Sequence, residues 1–182
     1  MMQGTRRPIR DTSLVTHTAT YSAVIFLLAV AQCSFFARIE KLPAIPDLIL
    51  AAVAVVAVID RWETAILSGI VGGVVIDALG GVGISLSPLF YFVVALVLGA
   101  LAKKMMQSYL SWVAVMIPAL ALRAVFTVIQ VLLLGNGGGI VQILGQIVLP
   151  ELICTAVFSL PIYPLILLST FFIRRRRGAP IR

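Results

Sequence analysis

Charged residues are scarce in this 182-residue sequence: they make up 12% of it, whereas 61% of the residues are hydrophobic. A soluble domain usually has about a quarter of its residues charged, enough to cover its surface. The mean hydropathy of +1.12 agrees with the composition. These values exclude an ordinary soluble protein and indicate an all-α integral membrane protein that folds as one helical bundle.

Histidine and cysteine are also rare. His17 is the only histidine, which excludes a histidine-rich metal site and a Ser-His-Asp triad within this chain. Cys33 and Cys154 lie in apolar runs, without the spacing of metal ligands or of a disulfide framework. Phosphate-binding and dinucleotide fingerprints are missing as well. We therefore predict a non-enzymatic protein with no catalytic, cofactor-binding or metal-binding residues, and we expect His17 to be solvated in an N-terminal tail.

Apolar runs fill most of the chain. Short polar or glycine-rich segments divide it into six predicted spans: 18–37, 47–60, 64–79, 85–102, 109–134 and 151–173. The last apolar run, 140–173, would be about 50 Å long as one helix, whereas a bilayer core needs about 30 Å. Pro150 divides it, so we expect 140–149 to form a short outer or re-entrant helix. The predicted domains are an N-terminal tail (1–17), a six-span bundle (18–173) and a basic C-terminal tail (174–182).

The basic residues predict the orientation of the bundle. With both termini in the cytoplasm, only Arg38 and Lys41 face outward and Arg123 lies within a span. Eleven basic residues then face the cytoplasm: Arg6, Arg7, Arg10, Arg61, Lys103, Lys104, Arg174, Arg175, Arg176, Arg177 and Arg182. This asymmetry follows the positive-inside rule. It accounts for the net charge of +7 without nucleic-acid binding, which we do not expect, and makes the lipid bilayer the first partner.

A stripe of small residues marks the third span. Ala65, Gly69, Gly73 and Asp77 recur every four residues and therefore lie on one helix face, with Gly81 in the turn beyond. Small residues at this spacing let another helix approach closely in a membrane. The stripe therefore predicts a face for helix packing or for a partner.

Arg123 lies near the middle of the fifth span, where an unpaired arginine is costly. Asp77 and Glu151 are the acids at a similar predicted depth. Two interpretations stay open: an ion pair that fixes the bundle, or a polar cavity that opens outward and binds a ligand. Pro46 and Asp47 form a helix-start motif for the second span, because an acid is favourable at a helix N-terminus.

The pattern Gly69-x-x-x-Gly73-x-x-x-Asp77-x-x-x-Gly81, after the helix start Pro46-Asp47-Leu48, resembles the rod shape-determining protein MreD family. The resemblance covers roughly residues 18–175 and includes a proline-containing last span. It differs at Ser85, where the family often has another glycine.

The resemblance implies a multi-pass protein of the bacterial cytoplasmic (inner) membrane that maintains rod cell shape. It would act in the elongasome as a non-enzymatic scaffold that binds MreC and links MreB filaments to peptidoglycan synthesis by RodA and its transpeptidase. The family fold in turn resembles the substrate-binding subunits of energy-coupling-factor transporters. Such a vitamin-binding subunit is the alternative function.

Overall fold

The chain folds as a bundle of α-helices. The computed structural model describes residues 9–39, 43–80, 86–103, 109–133 and 144–176, and these residues form no strand. The α-helices of the described ranges are α1 (Ile9–Ser34), α2 (Leu48–Ile59), α3 (Trp62–Gly80), α4 (Ser87–Ala102), α5 (Tyr109–Leu133) and α6 (Leu149–Arg176). A short 3-10 helix, Phe36–Arg38, follows α1. The all-helical fold predicted from the apolar runs is therefore present.

Four helical segments are long and apolar enough to cross a membrane: Val15–Ser34, Trp62–Gly80, Ser111–Leu133 and Leu144–Phe171. The other two helices, α2 and α4, have 12 and 16 residues. At 1.5 Å per residue they are about 18 and 24 Å long, which is shorter than a hydrocarbon core of about 30 Å. The six predicted apolar helices are thus present, but only four of them have the length of a full span.

Consecutive helices run in opposite directions. The start of α2 contacts the end of α1, because Leu48 N donates a hydrogen bond to Gln32 Oε1. At the other end of the bundle, His17 near the start of α1 contacts Asp60, which follows α2. Gly99 near the end of α4 lies against Trp62 at the start of α3. This up-and-down order places the two ends of each helix in different environments.

The shortest helix, α2, lies in the centre of the bundle. Every residue from Leu48 to Val58 is buried. A helix that is apolar on all sides is stable only when other helices or lipid surround it, and here α1, α3, α4, α5 and α6 all contact it. Its 12 residues need not span the bilayer because its start, at Asp47, is covered by protein.

The last apolar run differs from the prediction. Residues Leu144–Val148 form a π-helical turn that continues directly into α6, so the described part of 140–149 is not a separate helix. Residues 140–143 lie outside the described ranges. Pro150 lies at the junction between this turn and α6, and it does not divide the run into two helices as predicted. Pro161 and Pro164 lie inside α6 without ending it, as neighbouring helices allow in membranes.

The N-terminal prediction also changes. Helix α1 begins at Ile9, inside the segment assigned to a tail, and His17 lies within it. The expectation that His17 is solvated is wrong: its side chain is 26% exposed, and Nδ1 lies 2.5 Å from Asp60 Oδ2. This contact joins α1 to the corner between α2 and α3. Residues 1–8 and 177–182, the chain ends on which the tail predictions rest, lie outside the described ranges.

Candidate functional site

The start of α2 is buried inside the bundle, and side chains bind three of its N–H groups. Asp47, which is 1% exposed, accepts a hydrogen bond from Leu50 N at 2.9 Å. Its own backbone N–H donates to Thr155 Oγ1 of α6, and Leu48 N donates to Gln32 Oε1 of α1, both at 2.9 Å. The free N–H groups of a helix start need such partners when water is excluded. The predicted helix start at Pro46 and Asp47 is therefore present, with partners from two other helices.

Arg123 of α5 lies between two carboxylates. Its Nε and Nη2 atoms are each 2.7 Å from Glu151 Oε1, and its Nη1 atom is 3.2 Å from Asp47 Oδ2. The Arg123 side chain is 18% exposed, and those of Asp47 and Glu151 are 0% and 9% exposed. Arg123 thus joins α5 to the start of α2 and to the first turn of α6.

The two carboxylates have further donors. The Tyr91 hydroxyl of α4 lies 2.8 and 2.9 Å from the two carboxylate oxygens of Asp47, and Thr127 Oγ1 donates to Glu151 Oε2 at 3.1 Å. Buried charges are tolerated when they are paired and their remaining oxygens are hydrogen-bonded. Each oxygen of both carboxylates has at least one donor here, so we call Asp47, Tyr91, Arg123, Thr127 and Glu151 the ionic cluster.

Two aromatic rings cover one side of the ionic cluster. Phe90 and Phe126 stack with centroids 4.2 Å apart and planes inclined by 17°. The guanidinium carbon of Arg123 is 5.6 Å from the centroid of Phe90 and 5.9 Å from that of Phe126. A planar guanidinium is attracted by aromatic faces at this distance. The rings therefore stabilise the arginine.

The sequence identified part of the ionic cluster. The contact between Arg123 and Glu151 is one of the two predicted pairings. The other predicted partner, Asp77, is not in contact with Arg123: it is partly exposed on α3, and its buried Oδ2 has no hydrogen-bond partner among the described residues. Asp47 takes that place. Sequence reasoning missed it because helix capping already explained an acid after Pro46.

The small-residue stripe of α3 packs inside the bundle. A Cβ atom at Gly73 would lie 2.5 Å from Pro88 Cα, and one at Gly69 would lie 3.3 Å from the carbonyl oxygen of Tyr91. Ala65 is fully buried. The face predicted for helix packing or for a partner is therefore a packing face against α4. Gly81 lies outside the described residues.

Two glycines outside that stripe allow equally close contacts. A Cβ atom at Gly72 would lie 2.6 Å from Ile25 Cγ2 of α1, and one at Gly99 would lie 2.7 Å from Trp62 Cβ. Glycines thus allow α1 and α4 to pack closely against two different sides of α3. The four-residue spacing pointed to only one of these sides.

Comparisons of the chain with protein families, with characterised proteins and with solved structures found no match.

What the ionic cluster can do follows from its connections. It joins α2, α4, α5 and α6 through charged or hydroxyl groups, and the capping of α2 adds α1 through Gln32. Breaking one partner of a buried ion pair typically destabilises a protein by about 3–5 kcal/mol. The cluster is thus suited to fixing the relative positions of helices.

Proposed function

We propose that this protein is a non-enzymatic scaffold of the bacterial elongasome, similar to MreD. In this proposal it lies in the cytoplasmic (inner) membrane with both termini inside and binds MreC. Through MreC it connects MreB filaments to RodA and its transpeptidase, and so maintains rod shape during peptidoglycan synthesis.

The observation that carries the proposal is the glycine–aspartate motif that follows the Pro46-Asp47 start. Its Gly69 and Gly73 positions pack closely against α4, and Asp47 anchors α2 to Arg123. Three of the residues on which the resemblance rests, Asp47, Gly69 and Gly73, are therefore residues that hold the bundle together. A rigid bundle suits a protein whose task is to position other membrane proteins.

A carboxylate of the chain itself lies at the N-terminus of α2, and this also favours a scaffold. In transporters, a helix that starts inside the membrane often directs its positive end at an anionic substrate group. Here the carboxylate of Asp47 fills that position, and Arg123, Tyr91 and Leu50 N already bind it. An incoming anion would have to displace a carboxylate that belongs to the chain.

The same helix start supports the alternative function, a substrate-binding subunit of an energy-coupling-factor vitamin transporter. A helix end buried inside a small bundle, surrounded by polar side chains of other helices, is a common origin of a substrate site. In that case Asp47 and Arg123 would exchange their mutual contact for contacts with a substrate.

Depletion of the protein in its native bacterium distinguishes the two proposals. A scaffold predicts that rods become spheres and that MreC copurifies with the tagged protein. Complementation by a Val74→Leu variant should restore rods, because Val74 is 53% exposed and has room for a larger side chain. Cells that keep their rod shape but lose high-affinity uptake of a vitamin would replace the scaffold proposal with the transporter one.

A further inference from the structure

A second polar site lies at the end of α2, whereas the ionic cluster lies at its start. A cavity of about 350 Å³ lies between the α2–α3 corner and the end of α4. Its polar lining comes from Asp60, Arg61, Glu63 and Lys103, and Trp62 forms one wall. This volume falls in the range of roughly 300–1,000 Å³ that is usual for small-molecule sites. We call this cavity the corner cavity.

The position of the corner cavity is that of a membrane–water boundary. It lies where apolar helices end in charged residues, and Trp62 is 37% exposed beside it. Lys103 Nζ lies 4.5 Å from the centroid of the Trp62 ring. Tryptophan and lysine concentrate at the level of lipid headgroups, and basic pockets between membrane helices bind such headgroups. A phospholipid headgroup therefore fits the position and the charged residues of the corner cavity.

The charges of the corner cavity are not all equally engaged. Both carboxylate oxygens of Asp60 already have partners: Oδ2 contacts His17, and Oδ1 accepts a hydrogen bond from Arg61 N at 2.9 Å. Arg61 and Glu63 are held only loosely: Nη2 and Oε1 are 3.4 Å apart, whereas charge-assisted hydrogen bonds are usually about 2.7–2.9 Å long. Glu63 Oε2 is buried and has no hydrogen-bond partner among the described residues.

This arrangement favours a ligand that carries both charges. A phosphate would bind the Arg61 guanidinium together with the Lys103 ammonium, while a primary ammonium would donate to Glu63. One long contact between Arg61 and Glu63 would be exchanged for several short ones. A purely anionic headgroup would leave Glu63 without a donor, and a quaternary ammonium has no N–H to donate.

We propose that the corner cavity binds a phospholipid headgroup in which a phosphate diester is joined to a primary ammonium, as in phosphatidylethanolamine. Arg61 and Lys103 bind the phosphate, and Glu63 accepts hydrogen bonds from the ammonium. Trp62 holds the Lys103 side chain at the wall of the cavity. This proposal is independent of the elongasome proposal, since it concerns the lipid and not the protein partner.

The test uses the purified full chain after removal of copurified lipid. Phosphatidylethanolamine, phosphatidylcholine and phosphatidylglycerol with identical acyl chains are titrated separately, and bound lipid is counted by native mass spectrometry. We expect phosphatidylethanolamine to bind about tenfold more tightly than the other two, a factor that corresponds to 1.4 kcal/mol. Equal binding of the three lipids would overturn the proposal.

Variants test which side chains bind the phosphate of the headgroup and which side chain binds its ammonium. Glu63→Gln should remove the preference for phosphatidylethanolamine, whereas Lys103→Gln should weaken all three lipids together. Arg61→Gln is a second phosphate-site variant that should fold, since the Arg61 side chain is 42% exposed. Arg38→Gln, at an exposed arginine beyond the end of α1, is the matched control and should change nothing. A preference that persists in Glu63→Gln would contradict the assignment of the ammonium.

Discussion

Gly73 of α3 lies so close to Pro88 of α4 that a Cβ atom at Gly73 would be 2.5 Å from Pro88 Cα and 2.6 Å from Pro88 N. Both neighbouring atoms belong to the backbone, so no side-chain rotation can relieve the overlap. The position of α4 on α3 thus depends on the absence of a side chain at one residue.

Gly73→Ala should therefore destabilise the protein. Overpacking of this kind usually costs about 1–3 kcal/mol, although alanine favours helix formation over glycine. Gly80→Ala is the matched control on the same helix, because a Cβ atom there meets nothing within 4 Å. Thermal unfolding in detergent measures both. Equal loss of stability in the two variants would show that the contact with Pro88 does not limit packing.

The stripe illustrates what sequence can predict about packing. Four-residue spacing of Ala65, Gly69 and Gly73 predicted that one face of α3 admits a close neighbour, and that face is buried against α4. The spacing could not predict which helix approaches, nor that Gly72 admits α1 on another side. Those contacts depend on how the helices are arranged around α2, and a periodic pattern within one helix carries no information about that arrangement.

Arg123→Ala should be strongly destabilising, since it leaves two buried carboxylates without their cation. Breaking a buried ion pair in this way typically costs about 3–5 kcal/mol. Double-mutant cycles that combine Arg123→Ala with Glu151→Gln and with Asp47→Asn should each show a coupling energy, measured by unfolding in detergent. Asp77→Asn provides the control and should be additive with Arg123→Ala. Coupling to Asp77 instead would contradict the ion pairs described above.

One partner of Arg123 in the ionic cluster could be predicted from the sequence, and the other could not. A single arginine in an apolar span requires an acid, and few acids lie at its depth, so Glu151 could be identified from sequence. Asp47 could not, because its role as a helix cap already explained its presence. Only the three-dimensional structure shows that a short α2 starts inside the bundle, which places its capping carboxylate 3.2 Å from Arg123.

Tyr91→Phe should lower stability by a smaller amount. It removes the hydroxyl that lies within hydrogen-bond distance of both oxygens of Asp47 while keeping the ring in its buried site. Hydrogen bonds to charged groups contribute about 1.5–3 kcal/mol. In an Asp47→Asn background the same substitution should cost less, because the acceptor is no longer charged. An identical cost in both backgrounds would mean that the hydroxyl acts independently of the carboxylate.

The last prediction concerns orientation in the membrane. The ionic cluster lies at the start of α2 and the corner cavity at its end, and the basic residues Arg61 and Lys103 line that cavity. The positive-inside rule then predicts that the corner and both chain ends face the cytoplasm. Single cysteines at Gln3, Arg61 and Gly178, in a background that lacks Cys33 and Cys154, should resist a membrane-impermeant thiol reagent in intact cells. A cysteine at Arg38 should react, because that arginine is exposed beyond the opposite end of α1.

All four cysteine variants should react once the membrane is permeabilised, which controls for buried thiols. Labelling of the Arg61 position in intact cells would show that the protein has the opposite orientation, with the corner cavity in the outer leaflet.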